Sequence, residues 1–150
     1  MNMATIPTIP GADHLINLFG YWPTFHDAEV KWLRLDRGDV SSGAGPVLEM
    51  AVHCFEMTRD ITPSGRYALR KHTLAHFRFH EVMDVHLENF NRQNAISGLD
   101  IVPESNPDWE HPYFQVTIQG GYGVSGSFHA VSAEVVSAVP CDAKGEAVSF

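Results

Sequence analysis

Tyr67-Ala-Leu-Arg-Lys-His-Thr-Leu-Ala-His-Phe-Arg-Phe-His-Glu-Val82 is the stretch on which the fold turns. It holds neither Gly nor Pro, so a helix and a long strand compete for it. From Thr73 onward, Thr73, Ala75, Phe77 and Phe79 share one parity, and His72, Leu74, His76, Arg78 and His80 share the other. That order fits a period of 2 better than 3.6, which makes the stretch a strand, with Val85 and Leu87 able to extend it. On a helix, His72, His76 and His80 would line one face and could hold a metal in adjacent pairs. On a strand they stand about 13 Å apart at ~3.3 Å per residue, too far for one ion. They then belong to the solvent face or to cross-strand contacts. The expectation is no metal and no cofactor, since no Cys-x-x-Cys, His-Glu-x-x-His or calcium loop accompanies them.

The neighbouring stretches extend the same pattern. Val47 to Met57 places Leu48, Met50, Val52 and Cys54 on one face and Val47, Glu49, Ala51, His53 and Phe55 on the other. Ala28 to Arg37 is a further strand whose apolar parity switches between Trp32 and Leu33, as a bulge or two-sided burial would produce. Gly38 to Pro46 is a flexible turn between these two, which predicts a hairpin. Tyr113 to Gln119, Gly120-Gly-Tyr-Gly123 and Val124 to Ala130 form a second hairpin, and Ala133 to Val139 a last strand ended by Pro140. Leu99 to Val102 is a short strand. Asn89 to Ser97 suits a helical turn or an irregular crossing. Gly11 to Phe19 has helical spacing, with Gly20 just past its end. About seven strands with one or two short helices predict an α+β fold. It is mainly an antiparallel sheet, as a curved sheet, sandwich or partial barrel. Nothing marks a second domain, so residues 1–150 are expected to form one.

Composition narrows the function classes. The chain of 150 residues is 44% hydrophobic and 19% charged, as ordinary globular proteins are. No apolar run approaches the roughly 18 to 20 residues of a membrane span. The opening Met-Asn-Met-Ala-Thr-Ile-Pro lacks the basic and apolar regions of a signal peptide. Cys54 and Cys141 are expected as two free thiols, Cys54 within a strand and Cys141 after a Pro. The expected location is the cytoplasm. Net charge is -8 and unevenly placed. Residues 66–80 hold Arg66, Arg70, Lys71 and Arg78 with no acid, whereas Gln93 to Ala143 hold no Lys or Arg. An acidic field of that kind repels nucleic acid and anionic lipid and attracts basic partners. Against such a total, the basic run reads as a charge-complementary face within the molecule or in a homodimer.

Two segments stand out as candidate sites. Phe19-Gly-Tyr-Trp-Pro-Thr-Phe-His-Asp-Ala-Glu-Val30 is too rich in aromatic bulk for an ordinary loop. Tyr21, Trp22 and Phe25 are read as a plug over one end of the sheet, with Pro23 shaping the turn. His26 and Asp27 resemble an acid-base pair, but neighbours on a strand point apart and no nucleophile accompanies them. Ser125 lies in a hairpin, not in a strand-to-helix elbow. The structural reading has Asp27 accepting backbone N–H groups at the join to the strand and His26 pinned beneath the aromatics. No catalytic residue is assigned. The second segment, Pro103 to Pro112, is a polar loop with an exposed-looking Trp109 between Asp108 and Glu110.

With these residues in view, the chain resembles the Immunity protein 50 family, found beside bacterial polymorphic and contact-dependent toxins. The likeness rests on Phe19-Gly-x-Trp-Pro-x-Phe-His-Asp-Ala-Glu-Val30 and is supported by Phe79, Val82, Val85, Leu87 and Phe90-Asn91-x-Gln-Asn94. The late hairpin followed by Glu134-Val-Val-Ser-Ala-Val-Pro140 completes it. Membership implies a small α+β cytoplasmic protein that binds and neutralises a cognate toxin, without catalysis of its own. Trp22, Pro23, Phe25, His26 and Asp27 match the family pattern, which fixes their identity and not their role. An acidic inhibitor suits a toxin that is basic because it grips phosphates. Glu104, Asp108, Trp109 and Glu110 are the candidate partner-binding residues, an aromatic anchor among carboxylates. Two other readings compete: a ligand-binding sheet whose aromatic loop lines a pocket, and a small histidine-dependent metal enzyme.

Overall fold

A computed structural model describes residues 6–43 and 45–148. Six antiparallel strands close into a barrel in the order β1-β2-β3-β6-β5-β4. They are β1 (Glu29–Asp36), β2 (Val47–Ile61), β3 (Tyr67–Glu88), β4 (Ala95–Glu104), β5 (Tyr113–Tyr122) and β6 (Ser125–Pro140). Among the described residues, one helix, α1 (Ala12–Phe19), and a 3-10 turn at Val40–Ser42 complete the regular structure. The α+β, mainly antiparallel class is therefore correct, and among the three expected shapes the sheet takes the barrel and closes it. β1 meets β4 at Glu29 and Ala95.

The stretch from Tyr67 to Val82 is a strand throughout. Thr73, Ala75, Phe77 and Phe79 point into the barrel and are buried, as the period of 2 requires. β3 continues past Val82 to Glu88, crossing positive-φ residues at Glu81 and Asp84 (φ 51 and 54). Its pairing with β6 shifts register between Met83 and His86. Leu48, Met50, Val52 and Cys54 of β2 fill the same interior. The parity switch in β1 is a register shift between Val30 and Trp32, which leaves Val30 buried and turns Trp32 outward against His76.

Two element boundaries differ from expectation. Val124 to Ala130 and Ala133 to Val139 belong to one strand, β6, so there are six strands and not about seven. No Gly or Pro separates Ser127 from Val139, and the one long strand pairs with β3 along its whole length while β5 pairs with its other edge from Gly126 to Ala130. Asn89 to Ser97 is not helical. Residues 89–94 form the irregular crossing, and Ala95 to Ser97 already pair with β5.

α1 caps one end of the barrel. Gly11 (φ 82) starts it where the Val135 carbonyl presses close, leaving no room for a side chain, and Pro10 O accepts from Val135 N at 2.9 Å. Gly20 ends the helix with its own left-handed turn. Ala12, Leu15 and Phe19 are its buried residues. Among the described residues, no helix is long and apolar enough to cross a membrane.

Candidate functional site

The aromatic segment after α1 does close the barrel end, with two of its three expected rings. Trp22 and Phe25 are buried, and both meet Phe77 edge-on at centroid distances of 6.3 and 5.8 Å. Phe77 stacks in turn on Phe79, and Phe79 meets Phe128 edge-on. That aromatic column fills the space under Trp22 where a ligand pocket was one expectation, and weighs against a ligand-binding sheet. Pro23 is buried with them. Tyr21 is not part of the plug. It stands half-exposed and donates its hydroxyl to Glu56 at 2.8 Å, and burial followed by that bond pushes its pKa up to about 12.

His26 and Asp27 lie outside the barrel. The expectation that the aromatics pin His26 is wrong: its side chain is exposed, with Nδ1 3.4 Å from Ser97 O and Nε2 3.6 Å from the Asp27 carboxylate. The join to β1 is made by main chain, through Asp27 N to Ile96 O (2.8 Å) and Ala28 N to Phe25 O (3.0 Å). Phe25 and Asp27 both sit at positive φ (61 and 63), a conformation costly for an aromatic residue. Burial of the Phe25 ring offsets that cost. This chemistry is packing and turn formation.

The three histidines of β3 go to separate partners. His72 Nδ1 lies 2.9 Å from His53 Nε2, His76 Nε2 lies 3.6 Å from Glu49, and His80 Nε2 lies 3.1 Å from Glu134. Among the described residues, no three His, Cys, Asp or Glu side chains gather as metal ligands. Both cysteines are free and buried, and burial pushes the Cys54 thiol up to about 12.

The basic run on β3 is consumed by acids of neighbouring strands. Arg78 Nε donates to Glu49 at 2.6 Å and its Nη1 to Glu134 at 3.3 Å. Arg34 Nη1 donates to the other Glu49 oxygen at 3.3 Å. Arg70 donates to Glu56 at 2.5 Å, with Lys71 3.6 Å away. The Arg78 guanidinium holds Glu49 below the usual carboxylate range, Arg70 does so for Glu56, and His80 does so for Glu134.

On the other side of the barrel the strand segments carry carboxylates and no Lys or Arg. β4, β5, the second half of β3 and the first half of β6 lie side by side. From Phe79 to Glu88 and along all of β4, β5 and β6 there is no Lys or Arg. Glu81, Asp84, Glu88, Asp100 and Glu104 are exposed there, as are Asp108 and Glu110 of the adjoining loop. Sequence spacing found the loop but not the β3 residues, whose neighbours are decided by strand order.

Trp109 is half-buried and not exposed as expected. Its ring lies 4.4 Å from Tyr113 and 5.5 Å from His129, and the latter two rings are 4.8 Å apart. Tyr113 hydroxyl donates to Glu104 at 3.3 Å, and burial, reinforced by that carboxylate, raises the phenol pKa. His129 Nδ1 lies 3.5 Å from Asp84. Of the four candidate residues, Glu104 and Trp109 thus both contact Tyr113, while Asp108 and Glu110 are exposed on either side of Trp109, Glu110 lying 3.9 Å from His111 Nε2.

The family model described as Immunity protein 50 matches residues 11–140. The chain belongs to the Immunity protein 50 family. The match begins at Gly11, the start of α1, and ends at Pro140, the end of β6, so it takes in the whole barrel and its aromatic plug. The Immunity protein 50 match therefore includes both the Trp22–Asp27 segment and the Trp109 loop, while Ile6 to Pro10 precede it. No curated protein and no solved structure matches the chain.

Proposed function

We propose that this protein binds and neutralises a cognate bacterial toxin domain of basic character, in the cytoplasm, by surface complementarity and without catalysis. The observation that carries the reading is the division of charge. Four of the ten Lys and Arg residues, Arg34, Arg70, Lys71 and Arg78, are tied to acids on the β1-β2-β3 side. The face built from β4, β5 and the adjoining halves of β3 and β6 keeps its carboxylates without any Lys or Arg. A macromolecule rich in Lys and Arg is drawn to such a face and oriented by it. A nucleic acid or an anionic membrane is repelled.

Membership of the Immunity protein 50 family supports the same reading, because an immunity protein acts on a toxin. Trp109, flanked by carboxylates and seated on Tyr113, supplies the large aromatic contact that interfaces concentrate their energy in. The test is titration of the purified protein with the toxin-like domain encoded beside its gene, at low and high salt. Saturable binding that weakens as salt rises is expected. Absence of binding, or affinity indifferent to salt, overturns the proposal.

A further inference from the structure

The N-terminal segment, β4 and β5 enclose a trough of about 500 Å³ that opens to solvent along one side. Ile6, Ile101, Pro103, Tyr113, Phe114 and Val131 supply its apolar walls. Ile101 and Tyr113 are buried, at 8% and 9% exposure, whereas Ile6 is 51% exposed, so the trough has a buried floor and an accessible edge. Its volume lies in the range of roughly 300 to 1,000 Å³ that accommodates organic groups.

The trough is continuous with the acidic aromatic cluster through one side chain. Tyr113 forms a wall of the trough, packs its ring at a tilt against Trp109 and donates its hydroxyl to Glu104. An apolar side chain entering the trough would bring its flanking residues against Glu104, Asp108 and Glu110, with no Lys or Arg of this chain between Gln93 and Ala143 to oppose them. Carbon walls select an aliphatic or aromatic group, and the carboxylates beyond Tyr113 select positive charge next to it.

We propose that this trough is the anchor point for the toxin: it takes one or two apolar side chains of a protein segment in which Lys or Arg stands next to them. The inference rests on the toxin-binding reading above and adds to it the chemistry of the segment recognised. It gives the stretch preceding the family-matched region a role, since Ile6, Pro7 and Thr8 line the rim.

Three acetylated, amidated hexapeptides test the chemistry: KRLLRK, KRSSRK and EDLLDE. The first is expected to shift the methyl resonances of Ile101 and Val131 and the indole resonance of Trp109, with affinity at least tenfold above the other two. Thr8 lines the rim and is exposed, so Thr8→Trp fills the trough without disturbing the core; it is expected to cost the first peptide at least tenfold while the thermal midpoint holds. Equal binding of the three peptides, shifts confined to other strands, or indifference to Thr8→Trp overturns the inference.

The toxin-like domain encoded beside the gene separates the two proposals. Tenfold weaker binding to Thr8→Trp than to the unaltered protein supports both. Equal binding to the two proteins overturns the trough as anchor and leaves the toxin reading standing. No binding to the unaltered protein overturns the toxin reading, and the peptides alone then decide whether the trough selects apolar groups next to positive charge.

Discussion

Glu49 Oε1 lies 2.6 Å from Arg78 Nε on the outside of the barrel wall, where a polar strand residue is normally solvated. Glu49 is nevertheless only 8% exposed, because Arg34, His76 and Arg78 close over it. The barrel wall is thus covered on one side by a network of charges instead of by a helix. Glu49→Ala leaves Arg34 and Arg78 without their shared partner, at a cost of about 2 kcal/mol. The figure falls below the roughly 3 to 5 kcal/mol of a fully buried pair because Arg78 is a third exposed. Urea unfolding of the single mutant measures it. Replacing both Glu49 and Arg78 by Met should recover part of the loss, and a double mutant weaker than the sum of the singles would contradict the network.

The plug should respond to size and to backbone conformation separately. Phe25 is 3% exposed and contacts both Trp22 and Phe77, so Phe25→Ala is expected to cost about 3 to 5 kcal/mol. Asp27 sits at φ 63 with its side chain in solvent. Asp27→Gly should keep or raise stability by up to about 1 kcal/mol, and Asp27→Val should lower it by about 1 to 2 kcal/mol. Thermal midpoints of the three variants decide the matter. A large loss in Asp27→Gly would show that the carboxylate, and not the turn, is what the position needs.

Acid should destabilise the protein in two stages. His53 is buried, and burial first, then His72 and Lys31, lower its pKa below the ordinary 6.5. The unfolded chain therefore binds a proton that the folded protein refuses, so stability falls as pH drops below about 6.5. The second stage comes from Glu49, Glu56 and Glu134, all held below the ordinary 4.5. Their contribution is complete above that value and is lost as pH falls through their folded pKa values. Urea midpoints from pH 8 to pH 3 should show both limbs. His53→Phe should remove the upper limb alone.

Trp109 should matter more for binding than for folding. Its ring leans on Tyr113 and His129 but remains half-exposed, so Trp109→Ala is expected to cost about 1 kcal/mol of stability or less. The same change should weaken toxin binding by about 2 kcal/mol, roughly 30-fold, as truncation of an interface anchor does. Asp84→Lys, on the same face but outside the trough, should slow association at low salt and lose that effect at high salt. Stopped-flow association with the neighbouring toxin-like domain reads both. An unchanged rate for Asp84→Lys would remove β3 from the interface.

The local readings that succeeded depended on short-range rules. Period-2 alternation fixes which side chains of β2 and β3 face inward, so the core residues from Leu48 to Cys54 and from Thr73 to Phe79 were legible before any coordinates. The aromatic bulk of Trp22 and Phe25 announced burial in the same way. Aromatic bulk misled for Tyr21, whose hydroxyl bonds Glu56 at the surface, and His26 escapes the plug because it lies between two positive-φ residues, Phe25 and Asp27. The strand count failed too: no Gly or Pro marks the interior of β6 after Gly126, and the run stays paired with β3 from Ser125 to Pro140 as one strand.

Sequence alone determined the α+β class, the inward faces of the strands, the negative balance and the family, since each rests on residue identity or on neighbours a few positions apart. Tertiary structure alone decided that Glu29 meets Ala95 to close the barrel, and that the end of β3 joins β4 and β5 in one acidic face. It also set Trp109 against His129, twenty residues on. Those contacts depend on strand order and register across long stretches of chain, and no local pattern encodes which distant strand will supply the partner.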